Sequence, residues 1–492
     1  MPVFNSENLM QATLGKLYEI LTGGDDHVKA NKNSFISWFM PGIPFMDSDL
    51  DFLEKGFSVS PTGDNGGPTS GDEARRLIRN AANFAMFADL VPDPSAIYKT
   101  EQGQTLDRNS QERLSNIYKN ILQFAKVANM EPTETEKKKL EKFKGLMYKE
   151  IESTSLTDDN QKITKIIPGP MMQAYNQMES AYAEAALTYN SKRLGALNSD
   201  SALAVQDWAL NADIYRQKVN SADTAWVSGG YKNEVNEISA YIDQVSRRSM
   251  SIWFRELKDI LDKGKFNDSF SGQTFYPTVL YPASFIKNPN WANFSFNESE
   301  YEANYHKKSN SWSAGGAFNI GMWHAAGTGN ASTERINENS QFSSYSMSFS
   351  MAVVKMLRPW CGTELFSCQG WKLDPGTWQF GDPKLSDGGD PPKGSFIGYS
   401  THAVFVKDLE VTFNKSEWES SSIKKQLGTG GGGGWGPVFI GGKYTRGSED
   451  REYKAHDTGS GFRCPGNLLV GMVNQKHPYQ IPNTSPEAKF DD

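Results

Sequence analysis

Apolar positions recur every three or four residues through the first half of the chain and every second residue through the second, with the change near Gly264. Leu77, Ala81, Phe84 and Ala88 mark a first helix, opened by a Ser70–Glu73 capping box and stopped by Pro92 and Pro94. Leu114, Ile117, Ile121 and Ala125 mark a second. A third begins at Thr133 with Glu136 and carries Leu140, Phe143, Met147 and Ile151. The motif IIPGP at 166–170 is a break, and beyond it the spacing predicts helix over 171–263. One stripe there is Tyr175, Met178, Tyr182 and Ala186; another is Val205, Trp208, Ala212, Tyr215 and Val219. Val235, Ile238, Ile242 and Val245 step close to a coiled-coil repeat. Gly195 and Gly229-Gly230 divide the run into three helices, read as a hairpin or bundle.

Past Gly264 the period falls to two. Tyr345, Met347, Phe349, Met351 and Val353 take one face of a strand and Ser344, Ser346, Ser348 and Ser350 the other. Upstream, Trp312, Phe318, Ile320 and Met322 alternate with polar and small residues, and a polar loop at 324–339 joins the two segments. That layout predicts a long hairpin over 309–353. Val404, Val406, Leu409, Val411 and Phe413 mark another strand, and 427–473 repeats the layout: a Gly-rich segment, a charged loop, then an apolar run. The expected fold is α+β. A mainly helical region (1–165) and a long helical hairpin or bundle (166–265) precede a sandwich-like antiparallel β domain (270–485) and a polar tail (486–492).

Charge removes one class of partner. With 58 acidic against 51 basic residues the net charge is −7, and no basic block exists to displace counterions from nucleic acid. The first twenty residues show neither a basic region nor an apolar core of a secretory signal, and the longest apolar stretch, FISWFMPGIPF at 35–45, is too short to span a bilayer as a helix. The expectation is a cytoplasmic chain, with leaderless export or release on lysis left open. Three cysteines without a CxxC spacing suit that compartment and form no disulfide framework.

The sequence offers no catalytic constellation. Its six histidines lack zinc-ligand spacing, and no G-x-S-x-G elbow occurs. The glycine-rich segment at 436–444 departs from a phosphate loop, since an extra glycine displaces Lys443 and Tyr444 stands where a hydroxyl ligand belongs. Asp47, Asp49 and Asp51 have an acidic spacing but lack the glycine and distal glutamate of a calcium loop. Trp360, Trp371, Trp378 and Trp435 read as core rather than as sugar platforms. No cofactor or metal is expected, and the chain is read as non-enzymatic.

Two functional classes follow. The first is a self-assembling structural protein that forms homo-oligomers or filaments through helical and β-edge contacts, with Tyr175, Met178, Trp208, Tyr215 and Ile242 as the expected assembly stripe. The second is a pore-forming or membrane-interacting protein. In pattern, the 309–353 hairpin resembles the insertion hairpins of β-pore toxins, and 427–473 gives a second. The resemblance implies that Trp312, Phe318, Ile320, Tyr345, Met347, Phe349 and Met351 form a face that meets lipid, or else a core. Strands of about 15 residues exceed the 9–11 that span a membrane. Assembly is the preferred reading, with the chain itself as partner.

Overall fold

The computed structural model describes residues 4–5, 17, 21, 34–56, 71–92, 113–128, 134–154, 162–198, 202–246, 250–267, 274–288, 291–297, 319–323, 341–389, 392–429, 433–435, 438–446, 449–486, 488 and 490. In chain order the main elements are β1 (Ser34–Phe45), α1 (Gly71–Ala88), α2 (Leu114–Phe124), α3 (Glu134–Met147), β2 (Tyr148–Thr154), β3 (Lys162–Pro168), α4 (Pro170–Asn198), α5 (Ala202–Ser228), α6 (Lys232–Ser246) and α7 (Met250–Gly264). They continue with β4 (Val279–Tyr281), β5 (Ala292–Asn297), β6 (Asn319–Trp323), β7 (Tyr345–Leu357), β8 (Gly398–Phe413), α8 (Lys415–Ser420), α9 (Ser422–Thr429), β9 (Gly433–Trp435), β10 (Val438–Arg446), β11 (Glu449–Lys454), β12 (Gly461–Arg463) and β13 (Asn467–Lys476). The fold is α+β: helices with largely antiparallel sheet. No helix among the described residues is long and apolar enough to cross a membrane.

A nine-stranded sheet organises the molecule, in the order β6-β1-β13-β8-β7, with β4 and β5 both on the outer side of β7, β12 on β8, and the two-residue strand His456–Asp457 on β12. Every pair is antiparallel except β6 with β1. On one face Met347, Phe349, Met351, Val404, Val406, Val411 and Trp38 meet a smaller sheet of β9, β10 and β11, through Trp435, Val438 and Tyr453, and the α8–α9 turn through Trp418 and Ile423. On the other, Phe45, Phe405, Met356 and Met472 meet the Leu77–Ala81–Phe84–Ala88 stripe of α1. A third core joins α2 and α7 to Trp360, Phe366, Trp371 and Phe396, and a fourth holds Leu140, Val235, Ile238 and Ile242 between α3 and α6.

Several sequence expectations are corrected here. Within 1–165, expected to be mainly helical, the helices are accompanied by strands that the sequence reading did not place: β1 lies between β13 and β6 in the main sheet and β2 pairs with β3 along its whole length. Pro41 and Pro44 conceal β1 in the sequence. The register skips from Trp38–Gly471 to Ile43–Leu469, which frees Pro41 from the ladder, while Pro44 stays in register opposite Leu468, beyond the Ile36–Phe39 stretch that β6 pairs with. The third helix stops at Met147, and Ile151 belongs to β2, where it pairs with Lys165. The long helical stretch holds four helices rather than three: Gly195 sits inside α4, which ends at Asn198 before α5 begins at Ala202, and a further division separates α6, ending at Ser246, from α7, beginning at Met250. A lone helical glycine costs only about 1 kcal/mol, which packing on a neighbouring helix offsets.

One phase slip in the sequence has a direct structural counterpart. Val404 and Val406 alternate in step, but Leu409, Val411 and Phe413 are one residue out. The β7–β8 register shifts between Ser348 and Ser350, and Asp408 takes a φ of 53°. This bulge restores both segments to the same buried face.

The junction between α1 and α2 is tied by buried polar groups. Asp89 accepts from the Ser115 backbone N–H at 2.8 Å and its hydroxyl at 2.5 Å, capping α2. Burial pushes the Asp89 carboxyl above the usual carboxylate range, against the pull of Ser115 and Arg358. Arg358 donates to the Ala88 carbonyl at 2.7 Å and the Ser400 carbonyl at 2.5 Å, linking α1 to β8. Replacing Arg358 by Met leaves both carbonyls without that donor and is expected to lower stability by about 3 kcal/mol, read from urea denaturation.

Candidate functional surface

The expected assembly stripe is engaged within the molecule. Trp208 packs 5.4 Å from Tyr189 of α4 and stacks on Tyr215 at 6.5 Å. The Tyr215 hydroxyl donates to Asp207 at 3.1 Å. Tyr175 lies 5.3 Å from Trp226, and Lys355 reaches over it at 5.3 Å while pairing with Glu179 and donating to Asn176 at 3.1 Å. Burial, helped by Glu179, pushes the Tyr175 hydroxyl up to about 12. Met178 packs where a Cβ on the buried Gly230 would fall, and Ile242 is buried against α3. These five residues hold α4, α5 and α6 together.

The open surface lies on another face of α5. Leu203, Leu210 and Ile214 are 77 %, 71 % and 51 % exposed. They occupy one line of the helix, well over 90° around from the line of Trp208, Tyr215 and Trp226 that faces α4. An amphipathic surface helix has one apolar side; α5 has two. Sequence reading missed this surface because aromatic residues drew the stripe. The Leu203-Leu210-Ile214 spacing of seven and four was visible.

Among the described residues, the strands of the membrane reading pair with other partners than the two expected hairpins. Asn319–Trp323, which includes Ile320, runs parallel to β1, with three strands between it and β7. Tyr345, Met347, Phe349 and Met351 are buried in the main sheet. Trp312 and Phe318 lie outside the described residues. In the second segment, β10 pairs with β11, which occupies the expected charged loop, and the apolar run is β13, paired with β1 and β8. Strand pairing is set by tertiary contacts that alternation alone does not specify.

The candidate chemical groups are taken up by packing. Asp49 pairs with Arg451 at 2.7 Å, Asp51 with Arg76 at 3.1 Å, and Asp47 accepts from Asn467 at 2.8 Å. Among the described residues no group of three or more His, Cys, Asp and Glu is placed to hold a metal ion. Cys361, Cys368 and Cys464 are buried, and burial pushes the Cys464 thiol up to about 12. Such thiols are poor nucleophiles. Trp360, Trp371, Trp378 and Trp435 are buried as expected of core residues.

Compared with known protein families, curated proteins and solved structures, the chain gives no match.

Proposed function

We propose that this protein is a non-enzymatic, self-assembling structural protein that forms homo-oligomers or filaments. The second apolar line on α5 carries the reading. Three large aliphatic side chains more than half exposed on one helix represent surface that is stable when another molecule covers it. α5 packs on α4 and, more lightly, α6, as the outer layer of the helical lobe, so the line is open to a partner. The outer strand β5 offers a second, smaller contact along its edge, part of which Ser191 of α4 reaches through the Asn293 carbonyl at 3.2 Å.

Light scattering and negative-stain microscopy of the purified protein test the reading. Oligomers or filaments are expected at micromolar concentration, with no dye release from liposomes. A monomer at high micromolar concentration would overturn it. Trp208→Ala provides a contrast, because Trp208 packs inside the lobe: it is expected to lower the melting temperature, at about 2–3 kcal/mol for a half-buried indole, without dissociating the assembly.

A further inference from the structure

Leu203, Leu210 and Ile214 fall within an arc of about 40° when each residue advances about 100°. The same line continues through Gln217 and Ser221, so its apolar part is a strip about 17 Å long at 1.5 Å per residue. Charges beside it are mixed. α5 holds Asp207, Asp213 and Asp223 against Arg216 and Lys218, a balance that gains little from an anionic lipid surface or a nucleic acid.

One flank of the strip carries both signs, Asp207 near its start and the exposed Lys218 past its end. Resting on the self-assembly reading above, we propose that a second copy of this chain lays its own α5 along this strip, antiparallel, about a two-fold axis between residues 212 and 213. That axis lies midway between 207 and 218, so Asp207 of each copy is level with Lys218 of the other. Leu210 then meets Ile214 of the second copy to within one residue, and the contact is made twice by symmetry. A parallel two-fold pair would set this flank of the two copies on opposite sides of the contact, with Asp207 and Lys218 about 17 Å apart along the axis and unable to meet. Asp207 also holds Lys192 at 3.0 Å, which fixes its carboxylate toward α4 and leaves Lys218 as the group that moves to meet it. Asp213 sits beside the axis with its charge offset by Arg216 at 3.4 Å.

Cysteine cross-linking of the full chain with a short bis-maleimide, beside sedimentation velocity, tests this geometry. The three native cysteines are buried and serve as a silent background. Asp213→Cys is expected to link to its own copy. Leu203→Cys alone should not, because its two positions lie about 28 Å apart along the axis; mixed with Ser221→Cys it should link. Leu210→Glu is expected to weaken association at least tenfold with an unchanged circular dichroism spectrum. Efficient linking of Leu203→Cys to itself would overturn the antiparallel pairing, and so would an oligomer that Leu210→Glu leaves intact; either result keeps the self-assembly reading. A monomeric wild type would overturn both. A Leu210→Cys thiol that resists labelling in a monomer would mean that the chain covers its own strip, and both would fall in that case too.

Discussion

Replacing Phe349 by aspartate is expected to leave no folded protein. The Phe349 side chain is 3 % exposed, with ring centroids 5.6 Å from Phe294 and 5.8 Å from Phe296 on the neighbouring β5. Loss of a buried phenylalanine costs about 3–5 kcal/mol by itself. An unpaired carboxylate in the same place adds several more. The total is comparable with the whole stability of a typical domain, about 5–15 kcal/mol. Insoluble product, or a circular dichroism spectrum without a cooperative melt, is the expected observation. Ser346→Asp is the companion variant. Ser346 lies on the exposed face of the same strand, opposite Thr412 and Asn297, and should change stability by about 0.5 kcal/mol or less. A folded Phe349→Asp variant would mean that the face is not core.

Two histidines are expected to remove about 4 kcal/mol of stability between pH 7 and pH 5, against an opposing contribution from Asp89 and Glu364, whose carboxyls burial holds above the usual range. His477 is 2 % exposed, ringed by Phe366, Phe396 and Tyr399, with ring centroids 4.5 Å from Phe396. Burial lowers it to about 3, and lowers His402, beside Lys355, to about 4, both from 6.5. Both folded-state values lie below the unfolded one, so the unfolded chain binds the extra protons. The stabilising contribution is present above pH 6.5 and is lost progressively as pH falls toward 4 and 3. At pH 5 each group has lost about 2 kcal/mol relative to pH 7. Urea denaturation at the two pH values measures the sum. His477→Phe places a fourth aromatic ring in the cage and should halve the histidine contribution. A His477→Phe variant with the same pH dependence as the wild type would refute the assignment.

Much of the sheet was legible residue by residue. The Ser344–Val353 alternation located β7 and its buried face, and the slip at Leu409 carried the bulge at Asp408 in plain view. What the sequence withheld was pairing. Alternation says which side of a strand is apolar, whereas the neighbour of β6 is chosen by contacts with β1, distant in the chain. β1 was hidden because two prolines argue against an interior strand, yet a skipped register makes room for Pro41, and Pro44 pairs with β13 beyond the stretch that β6 covers. The α5 surface was misplaced for a different reason. Tyr and Trp contribute the largest apolar area in either setting, so aromatic content does not distinguish a helix–helix core from an outer face. Leu203, Leu210 and Ile214 did distinguish it, through their angle to Trp208.

The pairing of β1 with β13 sets a timetable for the nascent chain. Phe45 and Asn467 are partners separated by 422 residues. At ribosomal rates of about 5–20 residues per second, β1 is complete roughly 20 to 80 s before its partner has been made. During that interval the edge of FISWFMPGIPF that meets β13 stays open, and β8 lacks the strand that joins it to β1. Closure of the main sheet is therefore a late event in synthesis.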